Sequence, residues 1–309
     1  MRRKILSGSV LIAAAVTALF SRRVECAEVA LKWKLKEGQV LRQTGETEVT
    51  TTTQVGSSPQ KVSQKFRFDT LLTVKSVDAN GTAQVGQKCE RLVLRLDLAS
   101  GQSFEFDSSS RSEPKGPIWA SMGPVLKALS TSEVSLELAA TGKIERFKLP
   151  DELLHTLKSA PGAAGMGDLF SEESLQRMSS QWPALDGGPI QPGKTWTTHL
   201  LNELPVGTMA TETTYTYVGT EQKEGRELHK LAMKTALSLE KKDPAQVEIR
   251  LKVNESSGSL YFDAAAGRFV EMEHRQTTTM QIGGAGGSIE SVTASIFRSR
   301  CEEVSTAAK

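Results

Sequence analysis

Gly188-Pro-Ile-Gln-Pro-Gly193-Lys194-Thr195 fits the phosphate-binding loop pattern G-x-x-x-x-G-K-[ST]. That chemistry needs a strand running in and a helix running out, so that successive backbone N–H groups and the positive helix end face the phosphates. The flanks suit neither. Trp182 to Gly187 is loop-like, Pro189 and Pro192 have no N–H to donate, and Trp196-Thr-Thr-His-Leu-Leu201 reads as a strand. A proline-braced loop with a glycine turn at Gly193 is expected, and no nucleotide. The four histidines, His155, His199, His229 and His274, have no His or Cys partner at metal-ligand spacing. In a strand, Glu271 and Glu273 share one face and His274 takes the other, so these three do not converge on a metal. Asp263 and Glu271 read as solvated cross-strand carboxylates, and Ser108 to Ser110 lacks the context of a nucleophile elbow. Asn80-Gly-Thr82 and Asn254-Glu-Ser256 match the glycosylation sequon and read as turn residues. No catalytic residue, metal or cofactor is assigned.

What remains is an apolar face. Trp33, Phe66, Phe68, Leu92 to Leu98, Trp119, Trp182, Trp196, Tyr215 and Tyr217 supply the large side chains. Strands must present them, because the dominant pattern has period two. Phe66, Phe68, Thr70, Leu72 and Val74 share one face against Lys65, Arg67, Asp69, Thr73 and Lys75. Leu92, Leu94, Leu96 and Leu98 alternate likewise, as do Val247, Ile249, Leu251 and Val253. One apolar and one wet face imply antiparallel strands. Turn signals separate them at Asp78 to Gly81, Lys223 to Gly225 and Ala266-Gly267. Three helices are expected: Pro117 to Leu129, Asp151 to Lys158 after Pro150, and Ser171 to Trp182.

Residues 1–27 read as a secretory signal: basic Met1 to Lys4, uncharged Ile5 to Phe20, then a cleavage region after Cys26 or Ala27. An uncleaved N-terminal anchor is the alternative. Losing this segment removes Arg2, Arg3, Lys4, Arg22, Arg23 and Glu25. That leaves 33 basic against 35 acidic side chains, net −2, where the full chain carries 38 against 36. A mixed, near-neutral surface gives no footprint for nucleic acid. Cys89 and Cys301 form the one cysteine pair of the exported chain. They are expected either to bond in an oxidising compartment or to remain separate thiols.

The chain also echoes itself. Lys36 to Leu41 opens one run of strands and Gln191 to Trp196 opens another, and each run reaches a strand–Gly–strand hairpin, at Gly142 and at Gly267. The expected organisation is a signal at 1–27, β-rich halves at 28–160 and 187–304, a helical linker at 161–186 and a tail at 305–309. The expected fold class is mainly β (α+β): long antiparallel strands in two pseudo-repeated halves forming a curved open sheet or half-barrel with a few packing helices.

With Lys36 to Gln39 and Pro192 to Trp196 as its motifs, the mature chain resembles a group of exported bacterial envelope domains of unknown function. Its architecture is similar to the open half-barrel of periplasmic lipoprotein carriers. The resemblance implies an envelope protein, periplasmic or extracellular, and supplies no catalytic residue. The leading expectation is a non-enzymatic protein holding an apolar or lipid-like ligand on its concave face, through Phe66, Phe68, Trp119, Met122 and Leu126. The alternatives are a filled-core structural or partner-binding module, its face plugged by the helices near 117–130 and 171–182, and a hydrolase with an unrecognised site. A protein partner in the envelope is expected under the second reading.

Overall fold

The computed structural model describes residues 29–159, 184–204, 207–241, 248–284 and 287–304. The expected signal, the expected helix Ser171 to Trp182 and the tail 305–309 lie outside the described residues. The chain runs β1 (Val29–Ala30), β2 (Val40–Val55), β3 (Ser58–Val77), β4 (Ala83–Asp97), β5 (Ser103–Asp107), α1 (Pro117–Thr131), β6 (Glu133–Leu138), β7 (Ile144–Lys148) and α2 (Asp151–Ser159). It continues with β8 (Pro189–Ile190), β9 (Thr195–Leu204), β10 (Gly207–Lys223), β11 (Arg226–Lys241), β12 (Glu248–Asp263), β13 (Arg268–Gly284) and β14 (Gly287–Glu303). Strands from both halves share one 12-stranded antiparallel sheet, ordered β7-β6-β4-β3-β2-β14-β13-β12-β11-β10-β9, with β5 beside β4. The join between halves is the β14–β2 ladder. Leu98 falls outside β4 and opens the next turn, bonding Gln102 O through its N–H.

The sheet is open and strongly curved. From β3 to β9 there are seven inter-strand steps, about 34 Å if flat at ~4.8 Å each, yet residues of both strands line one cavity. A strap of chain enforces the curl at the narrow end. Trp33 N–H bonds Ala140 O in the β6–β7 turn, and Lys34 N–H bonds Gly267 O in the β12–β13 turn. Leu185 N–H bonds Thr141 O, and Trp196 Nε1 bonds Ala184 O, so residues 184–190 tie the β7 side to the β9 side. The core gathers here: Leu31, Trp33, Leu185 and Ile190 from these segments pack with Leu41, Leu72, Leu231, Leu260, Phe262 and Phe269 from the strands. Trp33 meets Phe262 and Phe269 edge-on, at 6.3 and 5.7 Å between ring centres.

The repeat is visible in the backbone. Lys36 to Gln39 and Gln191 to Lys194 each close a turn between first and fourth residue, with Gly38 and Gly193 at φ 77° and 90°, a region that favours glycine. Gly38 and Gln39 then exchange backbone bonds with Val74, as Gly193 and Lys194 do with Tyr217. A bulge follows each partner, between Val74 and Ser76 and between Tyr217 and Gly219.

The convex face is charged. Lys65 bridges Glu46 and Glu48, Arg298 meets Glu273 at 2.9 Å, and Arg300 meets Glu271 at 3.3 Å. These pairs keep that face wet and contribute little stability individually.

The proposed Cys89–Cys301 disulfide is not formed; both are free thiols. The register gives the reason. Cys89 pairs Thr70, Thr70 pairs Gln43, and Gln43 pairs Cys301. The two sulfurs sit three strands apart, about 14 Å at ~4.8 Å per step, against a bridged Cα separation of ~4.4–6.8 Å.

Candidate functional site

The concave face holds a cavity of about 600 Å³ above the narrow-end core. Alternation along β2, β3, β9, β10, β11, β13 and β14 aims side chains into it. Its apolar lining includes Phe66, Phe68, Leu200, Met233, Leu237, Phe269, Met272 and Phe297. Its polar lining holds no Asp, Glu, Lys or Arg among the described residues, with Gln43, Thr198, Asn202, Thr213, Thr235 and Gln276 prominent beside His199 and His274.

Two glycines shape the floor. Gly45 pairs Phe68 across the β2–β3 ladder, and a Cβ there would fall inside the Phe68 ring. Gly258 pairs His274, and a Cβ there would crowd Glu273 O at 2.7 Å and His274 Cδ2 at 3.1 Å. Both rings therefore lie along the sheet and leave space above it.

His274 belongs to a connected polar belt. Its Nε2 lies 2.8 Å from Ser256 Oγ and 3.1 Å from Thr235 Oγ1, which lies 3.2 Å from Thr213 Oγ1. Thr235 N–H donates to Ser256 Oγ, Asn254 Nδ2 donates to Thr235 O, and Gln276 Nε2 donates to Asn254 Oδ1. Burial pushes the imidazole pKa of His274 below its ordinary 6.5, so the ring is neutral at pH 7 and both donates and accepts. Among the described residues no carboxylate bonds this ring. The Ser256–His274 contact thus ties strands together in the geometry present.

The belt stands where the sheet parts. β11 and β12 pair only from His229–Phe262 to Met233–Gly258, whereas β10–β11 and β12–β13 pair along their lengths. Ser256 and Asn254 occupy the first backbone donor and acceptor freed on β11, those of Thr235. A bulge between Leu251 and Val253 makes this possible. It shifts the alternation by one, so that Asn254 and Ser256 share the concave side with Ile249 and Leu251.

The sequence-derived candidates divide into two groups. Phe66 and Phe68 line the cavity, with ring centres 6.0 Å apart. Trp119 and Leu126 lie on α1, which packs over the concave side of β4 and β5 against Leu92, Leu94, Phe104 and Phe106. Trp119 stacks on Phe106 at 5.5 Å. Phe66 touches both groups, whereas Met122 faces solvent at 37% exposure. Helix α2, through Leu153 and Leu157 together with Leu149 just before it, seals the far side of α1. Among the described residues the helices therefore fill the β4–β5 end of the face and leave the β2–β3 and β9–β14 part lined but unfilled. Phe269, Phe297, Met233 and Leu237 were missed. The signal for them is the alternation of β11, β13 and β14, which threonines and serines interrupt.

The phosphate-loop match has the wrong exit. Thr195 opens β9 rather than a helix, and Lys194 Nζ bonds Asp186 Oδ2 and Pro189 O. Glu271 and Glu273 pair with cations on the convex side, opposite His274. Among the described residues no group of three metal-ligating side chains comes together.

No protein-family model matches the chain. No curated protein matches it either. Among solved structures, lipovitellin, studied for its lipid–protein interactions, is similar at 12% identity and a TM-score of 0.44. The match covers 89% of this chain and 26% of lipovitellin, so this chain spans about a quarter of that protein's length. An outer membrane channel from Pseudomonas putida F1 is similar over 90% of this chain and 98% of its own, at 7% identity and a TM-score of 0.24. A domain assigned to outer membrane lipoprotein sorting in Vibrio parahaemolyticus is similar over 86% and 87%, at 10% identity and a TM-score of 0.12.

Proposed function

We propose that this chain is an exported, non-enzymatic cell-envelope protein that holds an apolar or lipid-like ligand against the concave face of its sheet. The single observation that carries this reading is the cavity of about 600 Å³ lined by Phe66, Phe68, Phe269 and Phe297. Protein interiors are packed like organic crystals, and a space of this size, lined by apolar side chains together with hydroxyl, amide and imidazole groups, has the dimensions of a ligand site. The export signal read at residues 1–27 supports a periplasmic or extracellular address.

A second reading has its own observation. Strand β9 is a sheet edge of ten residues and carries Leu201 at 53% exposure. Such an edge offers a template for strand addition by an envelope partner.

Native mass spectrometry of the chain, exported in a bacterial host and purified without detergent, tests the proposal. A discrete extra mass released on denaturation supports it and identifies the ligand class. A bare chain that also takes up no added lipid overturns it and moves the reading to edge pairing.

A further inference from the structure

Beyond Met233–Gly258 the strands β11 and β12 separate, and the opening is not polar. Leu237 and Leu239 from β11, Ile249 and Leu251 from β12, and Met209 and Met280 from their neighbours line a slot of about 240 Å³. Leu237 and Gln276 line both this slot and the central cavity, so the two spaces adjoin. The polar belt of Thr235, Ser256, Asn254 and Gln276 stands at the point of separation. Among the described residues no Asp, Glu, Lys or Arg lines the slot.

We propose that the opening between β11 and β12 is the seat of a single hydrocarbon chain, and that the occupant is an uncharged single-chain amphiphile of the monoacylglycerol or fatty-alcohol class. Its chain lies between Leu237, Leu239, Ile249 and Leu251, and its hydroxyl or ester group bonds the Thr235–Ser256–His274–Gln276 belt. This rests on the lipid-binding reading and specifies it.

Three observations choose this occupant. The slot is one narrow space, which suits one chain rather than two. Its walls include Met209 and Met280, unbranched side chains that adapt to a flexible ligand. The belt is built of hydroxyl, amide and neutral imidazole groups, which satisfy a neutral polar group but would leave a buried carboxylate or phosphate without a countercharge. An inserted peptide strand fits less well. The first backbone donor and acceptor it would need, those of Thr235, are already bonded to Ser256 and Asn254.

The test is titration of the mature chain with 1-monopalmitoylglycerol and separately with palmitate, at about pH 8, where palmitate is charged in water. One equivalent of monopalmitoylglycerol is expected to bind, with palmitate weaker by about tenfold or more. Leu251→Arg places a charge in the slot and is expected to weaken binding by about tenfold or more. Leu239→Gln, a milder change, should weaken it in the same direction. Val55→Arg, at an exposed position that lines neither space, should leave the affinity nearly unchanged, whereas Phe66→Arg reports on the central cavity. Each variant is first matched to the parent by its urea unfolding transition. Loss of binding in Phe66→Arg with retention in both slot variants overturns the slot and keeps the lipid-binding reading in the central cavity. Palmitate binding tighter than monopalmitoylglycerol overturns the neutral-group assignment. An extended peptide carried by the purified chain in place of lipid overturns the proposal in favour of strand insertion. A parent chain that binds neither probe overturns both this inference and the reading beneath it.

Discussion

Phe68 lies flat over Gly45, its partner across the β2–β3 ladder, so that the ring occupies the space of a Cβ. The floor of the cavity at this point is an aromatic ring resting on bare backbone. Gly45→Ala must lift that ring into the cavity. The expected cost is about 1–3 kcal/mol of stability, together with weaker uptake of any lipid held there. In Phe68→Ala the same Gly45→Ala change should be far milder. A double-mutant cycle by urea unfolding checks this, with a coupling of at least about 0.5 kcal/mol expected. Strict additivity would remove the packing account.

Trp33 closes the narrow end. Its ring meets Phe262 and Phe269 edge-on while its N–H bonds the β6–β7 turn. Trp33→Ala empties the position where both halves meet, at an expected cost of about 3–5 kcal/mol. The urea midpoint should fall accordingly, and a change below about 1 kcal/mol would mean the strap is not what holds the curl.

The two thiols should behave differently. Burial pushes Cys301 up to about 12, and burial also raises the half-buried Cys89. A thiol-specific alkylating reagent on the native chain should modify Cys89 slowly and leave Cys301 untouched, with both reacting after denaturation. Mass spectrometry reads the result. A non-reducing digest that yields a linked Cys89–Cys301 peptide would contradict the strand register.

Burial lowers the pKa of both His274 and His229 from the ordinary 6.5. The sign follows directly. The unfolded chain takes these protons near 6.5, while the folded chain takes them only at lower pH. Between those values the unfolded state binds more protons, so stability is full above about 6.5 and is lost as pH falls towards the folded values. Urea unfolding between about pH 7.5 and pH 5 should show this decline. His274→Gln, which keeps a partner for Ser256, should make the slope shallower. Glu273, held below 4.5 first by Arg275 and then by Arg298, titrates outside this window. An unchanged slope would show that His274 is not the group responsible.

Much of the fold was legible because period two survives in single strands. The alternation of Phe66 to Val74 placed Phe66 and Phe68 together on the concave side, and Pro117 and Pro150 marked the two helices that are described. The matched turns at Lys36 to Gln39 and Gln191 to Lys194 are legible from their glycines, and they share one backbone pattern. What alternation cannot carry is register. The distance between Cys89 and Cys301 depends on three ladders, none written in the local sequence. The bulge after Leu251 reverses the faces of β12, so a straight reading places Asn254 and Ser256 on the wrong side. The parting of β11 from β12 is a property of two strands at once, and it is where the polar belt forms. The placing of α1 over β4 and β5 likewise depends on packing between Leu126 and Leu92, Leu94, Phe104 and Phe106, which no helical periodicity specifies.

The bond from Lys34 to Gly267 sets the order of assembly. The strap leaves the ribosome first, but its partner in the β12–β13 turn is made more than two hundred residues later. Leu31 and Trp33 must wait, unburied, until nearly the whole sheet exists. Closing so long a loop makes folding slow, and it gives the growing chain an extended interval in which it remains unfolded. Under the proposed export reading, that delay keeps the chain open for threading across a membrane.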